Sequence, residues 1–353
     1  MSEDHALSTP LRKSGRPAPH RRVPRRLAGL GGLVVLLGIL SLLSVAVGTR
    51  SVPLNEIAQA ILAYDADNPE HIVLLDIRLP RLIAAVLVGA ALAMAGALMQ
   101  AVTRNPLADP GILGVNAGAA FAVVFCIWIL GVSDTGFLVW PAMLGAAGAS
   151  VCVYLLGAIG QGGPTPVRLL LAGAALSALL FALVRGVLLV SHETLDVYRF
   201  WVVGSLHGLR IDDVTPLLPF FGVGFVAAVL GSSMLNALAL GDDVARSLGL
   251  RVGLVRAWNT AAVACLCGTA VALAGPIAFL GLVVPHMARA LTGSNMKILP
   301  LYCALIGAIL LLAADICGRV ILKHSELQAG VMVALLGGPG FLWLFRRTRI
   351  MRL

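Results

Sequence analysis

Two arginines three positions apart, in Ile77-Arg78-Leu79-Pro80-Arg81, stand where cations are least expected. Pro80 suits the first turn of a helix, whose N–H groups go unpaired in any case. Arg78 and Arg81 then sit at a helix N-terminus, where the macrodipole disfavours positive charge. They also fall on the outer side by the charge distribution given below, and arginine is disfavoured there too. An acidic partner would remove the conflict. The alternative is a pair of side chains snorkelling to lipid phosphates.

Three further places carry charge in telling contexts. Arg185 lies midway along an apolar run, where it could meet an anionic substrate or pair with Asp315 or backbone carbonyls. The stretch Arg104-Asn105-Pro106-Leu107-Ala108-Asp109-Pro110-Gly111 reads as a stiff turn, with Asp109 as an N-cap and Pro110 at the first helical position. The stretch Gly241-Asp242-Asp243-Val244-Ala245-Arg246-Ser247-Leu248-Gly249 reads as one short helix, with Asp242 as its N-cap and Gly249 as its stop. Two turns of helix are marginal in water. This one needs a surface to pack on, either a groove in a cytoplasmic partner or its own bundle.

Covalent chemistry finds no support. No G-x-x-x-x-G-K-[ST] phosphate loop and no H-E-x-x-H occurs. His286 follows Pro285 near a helix end and reads as a terminal polar residue rather than a ligand. Cys126, Cys152, Cys265, Cys267, Cys303 and Cys317 all lie in apolar stretches without metal spacing, and read as small buried side chains.

The elements that position these residues are membrane spans. The 353 residues are 59% hydrophobic and 12% charged, with mean hydropathy +0.95. A soluble domain carries about a quarter charged residues. The 39 glycines suit close helix packing in lipid. Ten apolar runs are long enough to span: about 28–48, 82–102, 113–132, 137–157, 168–190, 214–234, 257–274, 276–291, 299–318 and 328–345. The seventh and eighth are separated only by Gly275-Pro276, read as a tight hairpin.

Residues 1–26 form a polar, Pro/Arg-rich tail expected to be disordered, ahead of a transmembrane domain over 27–353. The run from Leu27 is too long for a signal-peptide core. With both termini inside, the cytoplasmic segments hold 18 of the 26 Lys/Arg and five of the 17 acids. The positive-inside rule thus orients the chain N-in and C-in, and accounts for the net charge of +9 without nucleic acid. A faint repeat relates VGAALAMAGALM to CGTAVALAGPIA, with Gly89/Gly96 matching Gly268/Gly275 five spans apart and so in opposite directions.

From about residue 50 onward, the chain resembles the permease family of ABC importers for iron-siderophore complexes, haem and cobalamin, the FecCD type. The resemblance rests on IRLPRLIAAVLVGAALAMAGALMQAVTRNPLADPGILGVNAGA, RLLLAG, RFWVVGSL, GDDVARSLGL, AGPIAFLGLVVPHMAR, ADICGRVI and ELQAGVMVALLGGPGFLWL, in that order. TRNPLADPGILGVNAGA looks closest to the ferric-catecholate, enterobactin-type permeases.

The resemblance implies an all-α, ten-helix, inverted-repeat permease in the bacterial inner membrane. It pairs with a second permease, here expected to be a paralogue. Two cytoplasmic ATPases hold ATP and Mg, and an external binding protein delivers the cargo. This chain itself holds no cofactor and catalyses nothing. Arg78, Arg81 and Arg319 would engage acids of the binding protein. Asp242 through Gly249, within the loop 236–256, would couple to the ATPase. The cytoplasmic gate would lie at Asn105 and Leu107, with Thr165 a weak substitute for the family's Thr-Ser, because Pro166-Val167 precede Arg168 here. Gln328 replaces the Pro of the family's E-L-P motif, and Arg185 replaces a small polar residue. Cobalamin or haem is the alternative cargo. An ion-coupled secondary transporter would need intramembrane acids, and only Asp315 qualifies. A membrane-anchored receptor or enzyme would need a soluble domain or catalytic cluster.

Overall fold

The computed structural model describes residues 22–48, most of 56–68, then 69–159, 165–322 and 325–347. Among these the chain is helical throughout, without strands. In chain order the helices are α1 Arg22–Ala46, α2 Pro69–Thr103, α3 Val115–Leu130, α4 Thr135–Ala158, α5 Pro166–Val190, α6 His192–Trp201, α7 Ile211–Leu238, α8 Asp242–Ser247, α9 Val252–Ala274, α10 Leu280–Thr292, α11 Leu299–Val320 and α12 Ala329–Arg347. The tail expected over 1–26 falls mostly outside the described residues, but Arg22–Arg26 belong to α1.

Seven of these helices are long and apolar enough to cross a membrane: the apolar parts of α1 and α4, and all of α2, α5, α7, α9 and α11. α3 and Ala329–Leu342 are shorter apolar helices. α10 corrects the sequence reading. At 13 residues it is roughly 20 Å long, short of the ~30 Å hydrocarbon thickness. No tight hairpin precedes it. Residues 275–279 are non-helical, and Phe279 takes φ +69°. The apolar run continues through this break, so hydropathy could not reveal it.

α2 is the hub. It packs on α11, α9, α10 and α7, and 78% of its most apolar stretch is buried, against 17% for α5. Its Ala/Gly face explains the position: with almost no side chain, neighbouring backbones close in. A Cβ on Gly89 would lie 2.4 Å from the Gly307 carbonyl oxygen of α11, and one on Gly96 would lie 2.0 Å from that of Gly281 in α10. Gly268 and Gly275, the repeat partners, seat different neighbours, Ala146 of α4 and the Trp201 carbonyl of α6.

α2 also starts earlier than Pro80 suggests. Helix begins at Pro69, capped by Asn68, and passes through a π-helical stretch, Val73–Arg78. The Leu79 N–H bonds to the Leu74 carbonyl, five residues back. Pro80 offers no N–H and its ring crowds the carbonyl of residue 76, so the widened turn accommodates the proline without ending the helix.

Candidate functional site

The chemistry-bearing residues gather at two ends of the bundle. At the end expected from sequence to face outward, Arg78 and Arg81 of α2 meet Arg319 of α11, and all three are buried. The acids that the sequence argument required are present within the chain. Arg81 donates through Nε to both oxygens of Asp315, at 2.9 and 3.1 Å, and through Nη1 to Glu326 Oε2 at 2.7 Å. Arg319 Nη2 lies 3.1 Å from Asp315 Oδ2, one helical turn away. Asp315 is therefore held between two arginines, and Arg185 does not share it.

The dipole conflict is also answered, by another helix. Arg319 Nη1 donates to the Ser44 and Val47 carbonyls at 2.9 and 3.2 Å, and Nη2 donates to Ser44 Oγ at 2.7 Å. Arg78 Nη1 donates to the Val45 carbonyl. These carbonyls end α1, where cations are favoured. Because α2 runs back to Pro69, its own positive end lies nine residues before Arg78. Burial alone would raise the Glu326 carboxyl, but the hydrogen bond and charge of Arg81, then His207, hold it below the usual range. Beside this cluster lies a cavity of about 720 Å³, lined by Arg81, His207, Glu326, Asp196, Phe200 and Trp201 among others.

At the opposite end, α2 stops at Arg104, which adopts φ +51°, ψ +31°. Asn105 folds the next turn by accepting from the Leu107 N–H at 2.9 Å. Leu107 is half exposed. Asp109 caps the 3₁₀ turn Pro110–Leu113 by accepting from the Gly111 N–H at 2.8 Å, as its sequence suggests. Thr165 caps α5, accepting from the Arg168 N–H at 3.4 Å. Thr165 makes no hydrogen bond to Asn105 or Leu107 among the described residues, so of the three residues expected at a gate the first two share one turn and the third lies on another element.

α8 ends as read, in a Schellman arrangement: the Gly249 N–H bonds to the Arg246 carbonyl and the Leu250 N–H to the Ala245 carbonyl. Its start differs. Gly241 occupies the N-cap, and Asp242 is the first helical residue. Its carboxylate is drawn away by Arg104 and by Arg256 Nη2 at 3.0 Å. Ala245 packs inward, while Val244 and Leu248 face out. Arg185 is exposed on α5.

Sequence reasoning missed Gln100 of α2, 1% exposed. It donates to the Gly281 and Leu282 carbonyls at 3.2 and 3.3 Å and accepts from Arg289 at 2.7 Å, tying the head and tail of α10 to α2. An amide inside an apolar span was a signal available in the sequence. His286 Nε2 donates to the Pro106 carbonyl, 2.9 Å away, joining α10 to the turn that follows α2.

The model of the FecCD transport family matches residues 36–347. The chain is 42% identical to the ferric enterobactin transport system permease protein FepD of Escherichia coli, over 91% of this chain and 96% of that one. It is 41% identical to YfiZ of Bacillus subtilis, named as a siderophore transport system permease, over 86% and 91%. Among solved structures it is similar to a metal-chelate type ABC transporter in an inward-facing conformation, with TM-score 0.81, 29% identity, and 91% and 100% covered.

Proposed function

The chain belongs to the FecCD transport family, and from that premise we propose that it is a permease subunit of an ATP-driven importer of ferric siderophores. The observation that carries the cargo is its 42% identity to a ferric enterobactin permease across nearly the whole of both chains. On this reading it crosses the inner membrane ten times with both termini inside, the eighth crossing made by short α10 together with its non-helical lead-in 275–279, and forms half of a pathway whose other half is a paralogous permease. The largely exposed α5 supports such a partner, since a helix that packs so little on its own bundle has surface left for a neighbour. ATP and Mg belong to two cytoplasmic ATPases docked on α8.

The outer end receives the loaded binding protein around Arg78, Arg81 and Arg319. Each guanidinium is already engaged inside the chain, so an incoming acid must compete for Arg81 with Glu326, the least buried of its partners. ATP-driven movement at α8 then rocks the bundle between outward and inward access. Exposed Arg185 adds a cationic group that favours anionic cargo if α5 lines the pathway. Against ion coupling, the one candidate intramembrane acid, Asp315, is committed to Arg81 and Arg319.

The test is uptake of labelled ferric catecholate, hydroxamate and citrate complexes by cells that lack their own permease and carry this chain with its cognate subunits. Catecholate uptake is expected. Uptake of cobalamin or haem alone would overturn the siderophore assignment, and uptake without ATPase would overturn the importer class.

A further inference from the structure

Resting on the reading of α8 as the ATPase-coupling helix, we propose that Asp242 is a positioning residue that links this helix to the cytoplasmic gate turn through Arg104. α8 is joined to the chain by glycines in the left-handed half of backbone space, Gly241 at φ +117° and Gly249 at φ +83°. Neither has an atom within 4 Å of where its Cβ would sit. The backbone joints are thus open at both ends, and they are poor carriers of force. What fastens the helix to the bundle is side-chain contact: buried Ala245, and the carboxylate of Asp242.

The two aspartates at the start of α8 are not equivalent. The Asp243 side chain is 96% exposed and meets Arg246 of its own helix. The Asp242 carboxylate reaches off the helix to two arginines on different elements. Arg256 belongs to α9 and is 6% exposed in its side chain. Arg104 ends α2, directly before Asn105, and its Nη2 also donates to the Leu238 carbonyl at 2.6 Å, at the end of α7. One guanidinium therefore joins α2, α7 and α8 at the residue from which the gate turn departs.

Arg104 also holds a left-handed conformation at a position usually given to glycine. Such a conformation persists in a side-chain-bearing residue when the surroundings over-determine it. Here the contacts of the guanidinium with Asp242 and Leu238 do so. A push on α8 moves the Asp242 carboxylate. Arg104 follows it through a charge-assisted, directional hydrogen bond, and Asn105 and Leu107 are the next residues along the chain.

The experiment uses the complete transporter in proteoliposomes, with both permeases, ATPase and loaded binding protein. The readout is ferric siderophore translocated per ATP hydrolysed. Asp242→Asn and Arg104→Gln are each expected to lower this ratio about tenfold, within the range of a single coupling energy. The double variant should fall no further than the worse single one. Asp242→Glu should recover most of the ratio. Arg256→Gln touches the same carboxylate without touching the gate turn, and should lower the ratio less than Arg104→Gln. A normal ratio in Asp242→Asn, multiplying losses in the double variant, or equal losses in the two arginine variants would overturn the link; the last would leave Asp242 as a simple anchor of α8. The underlying reading fails separately. If Val244→Ser with Leu248→Ser leaves the ATPase bound and coupled, α8 is not the coupling helix, whatever Asp242 does.

Discussion

The two ends of the molecule carry the same constellation, an aspartate between two arginines. At the end proposed to face outward, Asp315 sits between Arg81 and Arg319, with side-chain exposures of 1%, 7% and 4%. At the end proposed to face the cytoplasm, Asp242 sits between Arg104 and Arg256, at 27%, 35% and 6%. The outer triad bridges two long helices of the core and caps a third. The inner triad fastens a six-residue helix with a glycine at each joint. In the dry setting, breaking the group leaves two buried guanidinium groups without their shared carboxylate and without water, so the triad fixes the fold. In the half-wet setting water reaches Asp242 and Arg104, so that pair contributes little to stability and is free to serve position, while buried Arg256 holds the other side.

The largest expected effect tests the outer half of that contrast. Asp315→Ala removes the carboxylate shared by two buried guanidinium groups, leaving Arg81 only Glu326 and Arg319 only Ser44 and the α1 carbonyls, and should cost about 3–5 kcal/mol, seen as a lower thermal midpoint of the detergent-solubilised protein. An unchanged midpoint would mean that the outer triad is hydrated after all. Next, Ser44→Ala removes one acceptor of Arg319 but leaves the α1 carbonyls, and should cost about 1–3 kcal/mol in the same assay.

Smaller changes test the inner half. Asp242→Ala should cost about 1–3 kcal/mol, less than Asp315→Ala because only one of its two arginines is buried, while uptake falls. Arg104→Gly should be close to neutral in stability, because losing a half-exposed pair is offset by relief of roughly 1–2 kcal/mol of left-handed strain. A large loss in either variant would erase the distinction between the two triads.

The smallest effect is one of pH. The Glu326 carboxyl titrates lower folded than unfolded. Its stabilisation is therefore complete above the ordinary carboxylate value of 4.5 and is lost as pH falls through the lowered folded value. The difference in thermal midpoint between wild type and Glu326→Gln should be constant from pH 7 to 5 and close below it. A difference that grows in acid would reverse the assignment.

Local signals were readable where local physics decides. The apolar runs, the Asp109 cap and the Gly249 stop each depend on neighbours within a few residues, and the seven long apolar helices overlap the runs that hydropathy marks. What was not readable depends on distance along the chain. Asp242 and Arg104 are separated by 138 residues and Arg81 and Asp315 by 234, so the sequence could show that Arg78 and Arg81 needed a counterpart without showing that the chain supplied it. The early start of α2 was hidden by Pro80, read as an N-terminal signal because nothing local foretells a π-helical turn. The Asp242 cap was a sound local reading overruled by two distant arginines. The family resemblance pointed to a segment at each end, but the partners of those residues came only with the fold.

The glycine contacts of α2 have a mechanical consequence. Sliding α2 along α11 by one turn, about 5.4 Å, would bring Ala85 or Ala93 to the place of Gly89, where a methyl group lies 2.4 Å from the Gly307 oxygen. The same shift against α10 would put Leu92 or Gln100 where Gly96 now meets Gly281. Neither seam has a second register. α2, α10 and α11 must travel as one block, so gearing within the bundle has to pass through helices whose surfaces are not interlocked, and the sparsely packed α5 is the clearest place for that slip.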